Sequence, residues 1–267
     1  MRIEKVYGAL EIIKRHINPE MVVLFGGEPT IRRSLNSIIH KCDDLGLNYV
    51  LISNSTTTYP LNGLKNYTAS VDCLIGVPDH GNIKKSMHGL KRLIEAKNLG
   101  VPDVVGNIII TKDNIEQVPE IVKYLSSKEI WSIVGLVHSG NEGFWKFRSN
   151  CPELIPTKDQ VKRVSGELMN LLDNGALIHN VYDYFKLMPM YYYLKWHCKD
   201  LVYMTIDANG ELMTCPDLDG ELRKYTIFDY PNKKVEIEKA WRRSIKKCPG
   251  CYYNHQFQLE NGGMLCH

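Results

Sequence analysis

The chain has 267 residues, 44% hydrophobic and 24% charged, with a formal net charge of +3. That composition suits an ordinary globular protein of one large domain, or a medium domain and a small one. No apolar run approaches the roughly 18 residues of a membrane span, the charge is too small to argue for nucleic acid, and residues 1–16 (MRIEKVYGALEIIKRH) hold no signal-peptide core. A cytoplasmic protein is expected, with no membrane and no clear nucleic-acid partner.

In chain order, Val6, Leu10, Ile13 and Ile17 recur at helical spacing. The apolar run 21–25 then predicts a buried strand, stopped by Gly26-Gly27. A helix over 32–45 ends at Gly46, and residues 49–52 form the next strand. Residues 70–77 predict a third strand, and 83–98 a helix with Met87, Leu90 and Ile94 on one face. A β-branched strand follows over 104–111. Then comes a helix over 114–128, capped by Asn114 or Asp113 and striped by Ile115, Val118, Ile121, Val122 and Leu125, and a strand over 130–137. Five parallel strands separated by helices or loops make an α/β layer whose working face lies at the C-terminal strand ends. The polar punctuation, residues 26–30, 53–58, 78–82 and 111–114, falls at those ends.

Beyond residue 137 the alternation weakens. Residues 138–157 are loop-like and 158–174 helical. The aromatic stretch 182–196 suits interdomain core better than a pocket lining. Residues 202–214 predict a hairpin turning at Asp207-Ala208-Asn209-Gly210, and 235–246 a short helix whose basic run 241–247 faces solvent. The pattern divides the chain into a core over 1–140, linker and helices over 141–196, and a small domain over 197–267.

Eight cysteines exceed what packing needs, and clustered cysteines in a cytosolic chain suggest metal or redox chemistry. Cys198 and Cys215 flank the hairpin, whose antiparallel strands bring its ends together, and Cys248-Pro249-Gly250-Cys251 offers two sulfurs from one turn. The four make a tetrahedral S4 site that softness alone leaves open to zinc or an iron–sulfur cluster. Cys42, Cys73 and Cys151 are isolated, and Cys266 sits in the tail.

At the strand ends, Gly26-Gly27-Glu28-Pro29 lets a ligand approach the backbone, with carbonyls and Glu28 as acceptors for an ammonium group. A plain strand-to-helix turn is the competing reading. Ser53-Asn54-Ser55 ends the next strand with groups suited to a ribose or carboxylate. Asp72 and Asn107 are further candidates for cofactor binding, against a role as satisfied core polar groups.

Together, the GGEP turn, Ser53-Asn54-Ser55, Ser70-Val71-Asp72 followed by Asp79-His80, and residues 108–114 (IIITKDN) resemble the radical S-adenosylmethionine (SAM) superfamily over residues 1–140. Cys198, Gly210 and Cys215 resemble the opening of its SPASM/twitch extensions, and Cys248-x-x-Cys251 resembles the shorter twitch form. The resemblance implies a partial (β/α)6 barrel with a C-terminal hairpin-plus-helix cluster domain. It implies that Gly26, Gly27 and Glu28 contact the methionine amino group of SAM, and Ser53 or Asn54 its carboxylate or ribose. It turns the S4 site toward an auxiliary [4Fe–4S] cluster, and implies a ferredoxin or flavodoxin electron donor and a small-molecule or peptide substrate. The family's C-x3-C-x2-C loop occurs nowhere among the 267 residues, and the first barrel strand is absent as well. A late gene start, a truncation or a degenerate relative would each account for this, and a second [4Fe–4S] is expected only with an upstream segment. A non-catalytic iron–sulfur or zinc scaffold is the alternative function.

Overall fold

The computed structural model describes residues 1–74, 83–137, 152–190, 197–198, 203–214 and 220–247. Helix α1 (Ile3–Ile12) widens into a π turn (Ile13–Ile17) closed by Asn18 at φ 48°. Then follow β1 (Val22–Leu24), a 3-10 turn (Pro29–Ile31), α2 (Leu35–Asp44), β2 (Tyr49–Ser53) and β3 (Asn66–Ser70). Helix α3 (Ile83–Asn98), β4 (Asp103–Ile110), α4 (Val118–Ser127) and β5 (Trp131–Leu136) complete the layer. The five strands pair in chain order, each parallel to the last, as their alternation with helices predicts.

The two faces of this sheet differ in chemistry. Leu51, Tyr67, Ala69, Val71, Val104, Ile108, Ile110, Val134 and Leu136 join one buried cluster with Leu93, Ile121 and Leu125 of the helices. Gly106 pairs with Ala69 on that face, and a Cβ there would stand 2.5 Å from Leu125. Strand pleating sends the alternate residues, Thr68, Ser70, Val105, Asn107 and Ile133, to the opposite face. The helical side is therefore continuous hydrocarbon, whereas the other side carries a polar row across β3 and β4.

Strand β3 and helix α4 depart from the sequence reading, and α2 starts at Leu35, three residues later than expected. The third strand runs four residues earlier than 70–77, so that Ser70 ends it and Asp72 lies beyond it. Its pattern is strict alternation, Asn66, Thr68 and Ser70 against the buried Tyr67 and Ala69; the more hydrophobic segment that follows resembled a strand more strongly. Helix α4 begins at Val118, with Gln117 at its N-cap, so neither Asn114 nor Asp113 caps it.

The outer edge of β5 is closed by residues 177–184. Ser132 forms a parallel bridge with Ile178: Ser132 N–H donates to Leu177 O, and His179 N–H to Ser132 O, each at 2.8 Å. Two residues on, the Asn180 amide replaces a strand residue, accepting from Val134 N–H and donating to Val134 O at 2.7 Å each. Helix α5 (Lys158–Asp173), started by a Thr157/Gln160 capping box, packs on α4 and on α6 (Tyr182–Leu187). Of the aromatic stretch, Tyr184 and Phe185 are fully buried; residues 191–196 lie outside the described residues.

The predicted hairpin is β6 (Thr205–Ile206) and β7 (Leu212–Met213), antiparallel. Asp207 Oδ1 accepts from Asn209 N–H and Glu211 N–H, and Gly210 takes φ 92°, which builds the turn where the sequence placed it. The final helix, α7, spans Tyr230–Lys247, longer at its start than the spacing suggested.

Candidate functional site

The exposed turn after β1 is shaped by two glycines. Gly26 has φ 101° and Gly27 φ 50°, backbone that side-chain-bearing residues seldom adopt. A Cβ built at either meets nothing within 4 Å, so the turn presents bare backbone to open space. The chain then extends through Glu28 into the 3-10 turn.

Glu28 folds back onto β2. Its Oε2 accepts from Asn54 N–H at 2.7 Å, and its Oε1 from Ser53 Oγ–H at 2.8 Å, from Thr30 N–H at 3.0 Å and from the Thr30 hydroxyl. The Thr30 hydroxyl also meets that of Thr57. Ser53 Oγ in turn accepts from Ser55 N–H at 2.9 Å, and Ser55, at φ 59°, holds the Tyr67 hydroxyl at 2.8 Å. Asn54 Oδ1 accepts from Thr56 N–H and Oγ1–H. Glu28, Ser53 and Asn54, named from the sequence, are thus joined in one network with Thr30 and Thr57, which it did not name.

Asp72 lies two residues past the end of β3, and Asn107 lies within β4, opposite Ser70. Asp72 Oδ1 accepts from Ile109 N–H at 2.9 Å. Asn107 pairs with Ser70 in the ladder, and its Oδ1 is shielded from solvent with no hydrogen-bond partner among the described residues. Such an acceptor is open to a donor from an ordered water or a ligand. Asn114 stitches these ends together: it accepts from Thr111 N–H and donates to Asp72 O and Ile109 O. No local pattern announces that role, because the strand ends it joins come from different parts of the chain. Helix α3 sets the height of β3's end by direct contact, since a Cβ at Gly89 would stand 2.0 Å from Ser70 O. Asp79 and His80 lie outside the described residues.

Of the four cysteines, Cys198 is described and half-buried, and α7 ends one residue before Cys248. Cys215, Cys248 and Cys251 lie outside the described residues. Among the described residues no three His, Cys, Asp or Glu side chains gather as a metal site, and no helix is long and apolar enough to cross a membrane.

The arrangement defines a class: a parallel α/β layer with a glycine turn and polar strand ends along its C-terminal edge. Among solved structures, Streptococcus suis SuiB has this fold, with a TM-score of 0.60 at 13% identity over 85% of the chain. SuiB bound to the precursor peptide SuiA gives 0.56 at 14% identity over 85%. The chain spans 58% and 57% of those two structures. No family model matches the sequence, and no curated protein matches it.

Proposed function

We propose that the chain is the greater part of a radical SAM enzyme, holding SAM at the C-terminal edge of its sheet. The observation that carries this reading is the glycine turn, open on its outer side and tied to the end of β2 through Glu28. The fold shared with SuiB supports the radical SAM superfamily. An ammonium group needs acceptors, which the bare carbonyls of Gly26 and Gly27 offer, while the unmet Asn107 Oδ1 suits a hydroxyl or amino donor. SAM, once reduced by an iron–sulfur cluster, supplies an organic radical; the part of these residues is to hold the cofactor in register and exclude water.

Cys198, Cys215, Cys248 and Cys251 are proposed to hold an auxiliary [4Fe–4S] cluster, on the strength of their spacing around a hairpin and a C-x-x-C turn. A peptide substrate is proposed in preference to a small molecule, by likeness to SuiB, whose structure with a precursor peptide is known. A ferredoxin or flavodoxin would supply electrons. Because no C-x3-C-x2-C loop occurs among these residues, SAM cleavage is proposed for the whole protein and SAM binding for this chain.

Anaerobic reconstitution followed by metal analysis and SAM titration tests both parts. About four irons and four sulfides per chain are expected, with a Cys198→Ser chain losing most of them. Gly27→Val should weaken SAM binding about tenfold or more without changing the iron content, since it strains the turn alone. Zinc in place of iron would return the S4 site to a structural role, and failure to bind SAM would refute the cofactor assignment.

A further inference from the structure

The hydrogen bonds of Glu28 point to a positioning role distinct from contact with a ligand. A carboxylate oxygen offers about two lone-pair directions. Oε1 already receives three donors, Ser53 Oγ–H, Thr30 N–H and the Thr30 hydroxyl, and Oε2 receives Asn54 N–H. Because the Thr30 proton is committed to Glu28, the Thr57 hydroxyl is the donor in the Thr30–Thr57 contact. One carboxylate therefore grips the loop after β2 at both ends, directly at Ser53 and Asn54 and through Thr30 at Thr57. The grip lies beneath a turn whose own backbone, at Gly26 and Gly27, is exposed and unobstructed.

We infer that Glu28 is a positioning residue: it sets residues 53–57 in register with the Gly26–Gly27 backbone, and a cofactor amino group is received by those carbonyls instead of by the carboxylate. This rests on the SAM-binding reading above for the identity of the ligand, though not for the grip itself.

Two substitutions separate the roles because they remove different things. Glu28→Gln keeps length and one acceptor oxygen but loses the charge and the bond from Asn54 N–H. Glu28→Asp keeps the charge but is one methylene short of both ends of the loop. Amide hydrogen exchange on the full chain reads the grip without any ligand. Gln is expected to speed exchange at Asn54 alone, and Asp to speed it about tenfold or more across residues 53–57. SAM titration should follow the same order, with Asp losing more affinity than Gln. Thr30→Val, which leaves the carboxylate intact, should loosen residue 57 and weaken SAM as well. The inference is overturned if Asp binds SAM better than Gln, or if affinity falls while exchange over 53–57 is unchanged. If wild type binds no SAM, the cofactor reading fails and the exchange order alone decides the grip; an order with Gln looser than Asp would overturn it.

Discussion

Glu28 was legible as a chemical group, since a carboxylate after two glycines at a strand end is conspicuous, but its neighbours were not. Thr30, Thr57 and Asn114 act on backbone and hydroxyl groups brought near only by folding, so their spacing carries no signal. Other residues hold ordinary chemistry in perturbed settings. Burial, with the Asp43 carboxylate adding to it, pushes the Cys42 thiol up to about 11. The thiolate is the nucleophile, so Cys42 should stay unmodified by iodoacetamide at pH 8 in the folded chain and react on unfolding; mass spectrometry of the digested protein checks this. At the entry to α7, the Thr226 amide, then Lys233 and the Thr226 hydroxyl, hold the Asp229 carboxyl below its usual value. A lowered folded pKa gives stability that is complete above the unfolded value near 3.9 and is lost as pH falls through the folded one. Asp229→Asn should therefore melt below wild type at pH 7, and the gap should close toward pH 2–3 in thermal scans.

Secondary structure divides by how much its pattern depends on partners. Strands β1, β2, β4 and β5 are apolar runs, and the sequence placed them within a residue or two, although β1, expected to be buried, is a half-buried edge strand. Strand β3 was misplaced because polar Asn66, Thr68 and Ser70 alternate with Tyr67 and Ala69, and alternation is a weaker signal than an unbroken hydrophobic run. The start of α4 was misread for a related reason: Asn114 has the character of a cap but spends its amide on strand ends. Helix α3 meets β3 through Gly89, with no side chain between helix and carbonyl. Gly89→Ala should force the two apart and cost about 1–3 kcal/mol by overpacking, measured by chemical denaturation. Because the displaced group is Ser70 O, faster amide exchange at Val71 and Ile109 should accompany the loss.

For the whole chain, the parallel α/β order was legible from the alternation of helix and strand. What lay outside the sequence was how the N-terminal residues meet residues 208–229. Met1 N donates to Ala208 O at 2.6 Å, Arg32 Nη2 donates to Met1 O at 3.0 Å, and α1 lies along the turn at Ile227–Asp229. Such contacts are long-range and set by shape, which no local pattern encodes. The proposed S4 site rests on spacing alone, because three of its cysteines lie outside the described residues. At the far side of the sheet, Asn180 closes the β5 edge by imitating a strand with one side chain. Asn180→Ala would remove both hydrogen bonds that its amide makes to the buried Val134 backbone, at about 1–3 kcal/mol. The larger consequence concerns colloidal behaviour. An uncovered parallel-sheet edge is a template on which another chain can add a strand, so removing the Asn180 amide is expected to favour self-association. Light scattering of concentrated samples well below the melting temperature should show the variant growing in size where a variant of matched stability, altered in the helical core, does not.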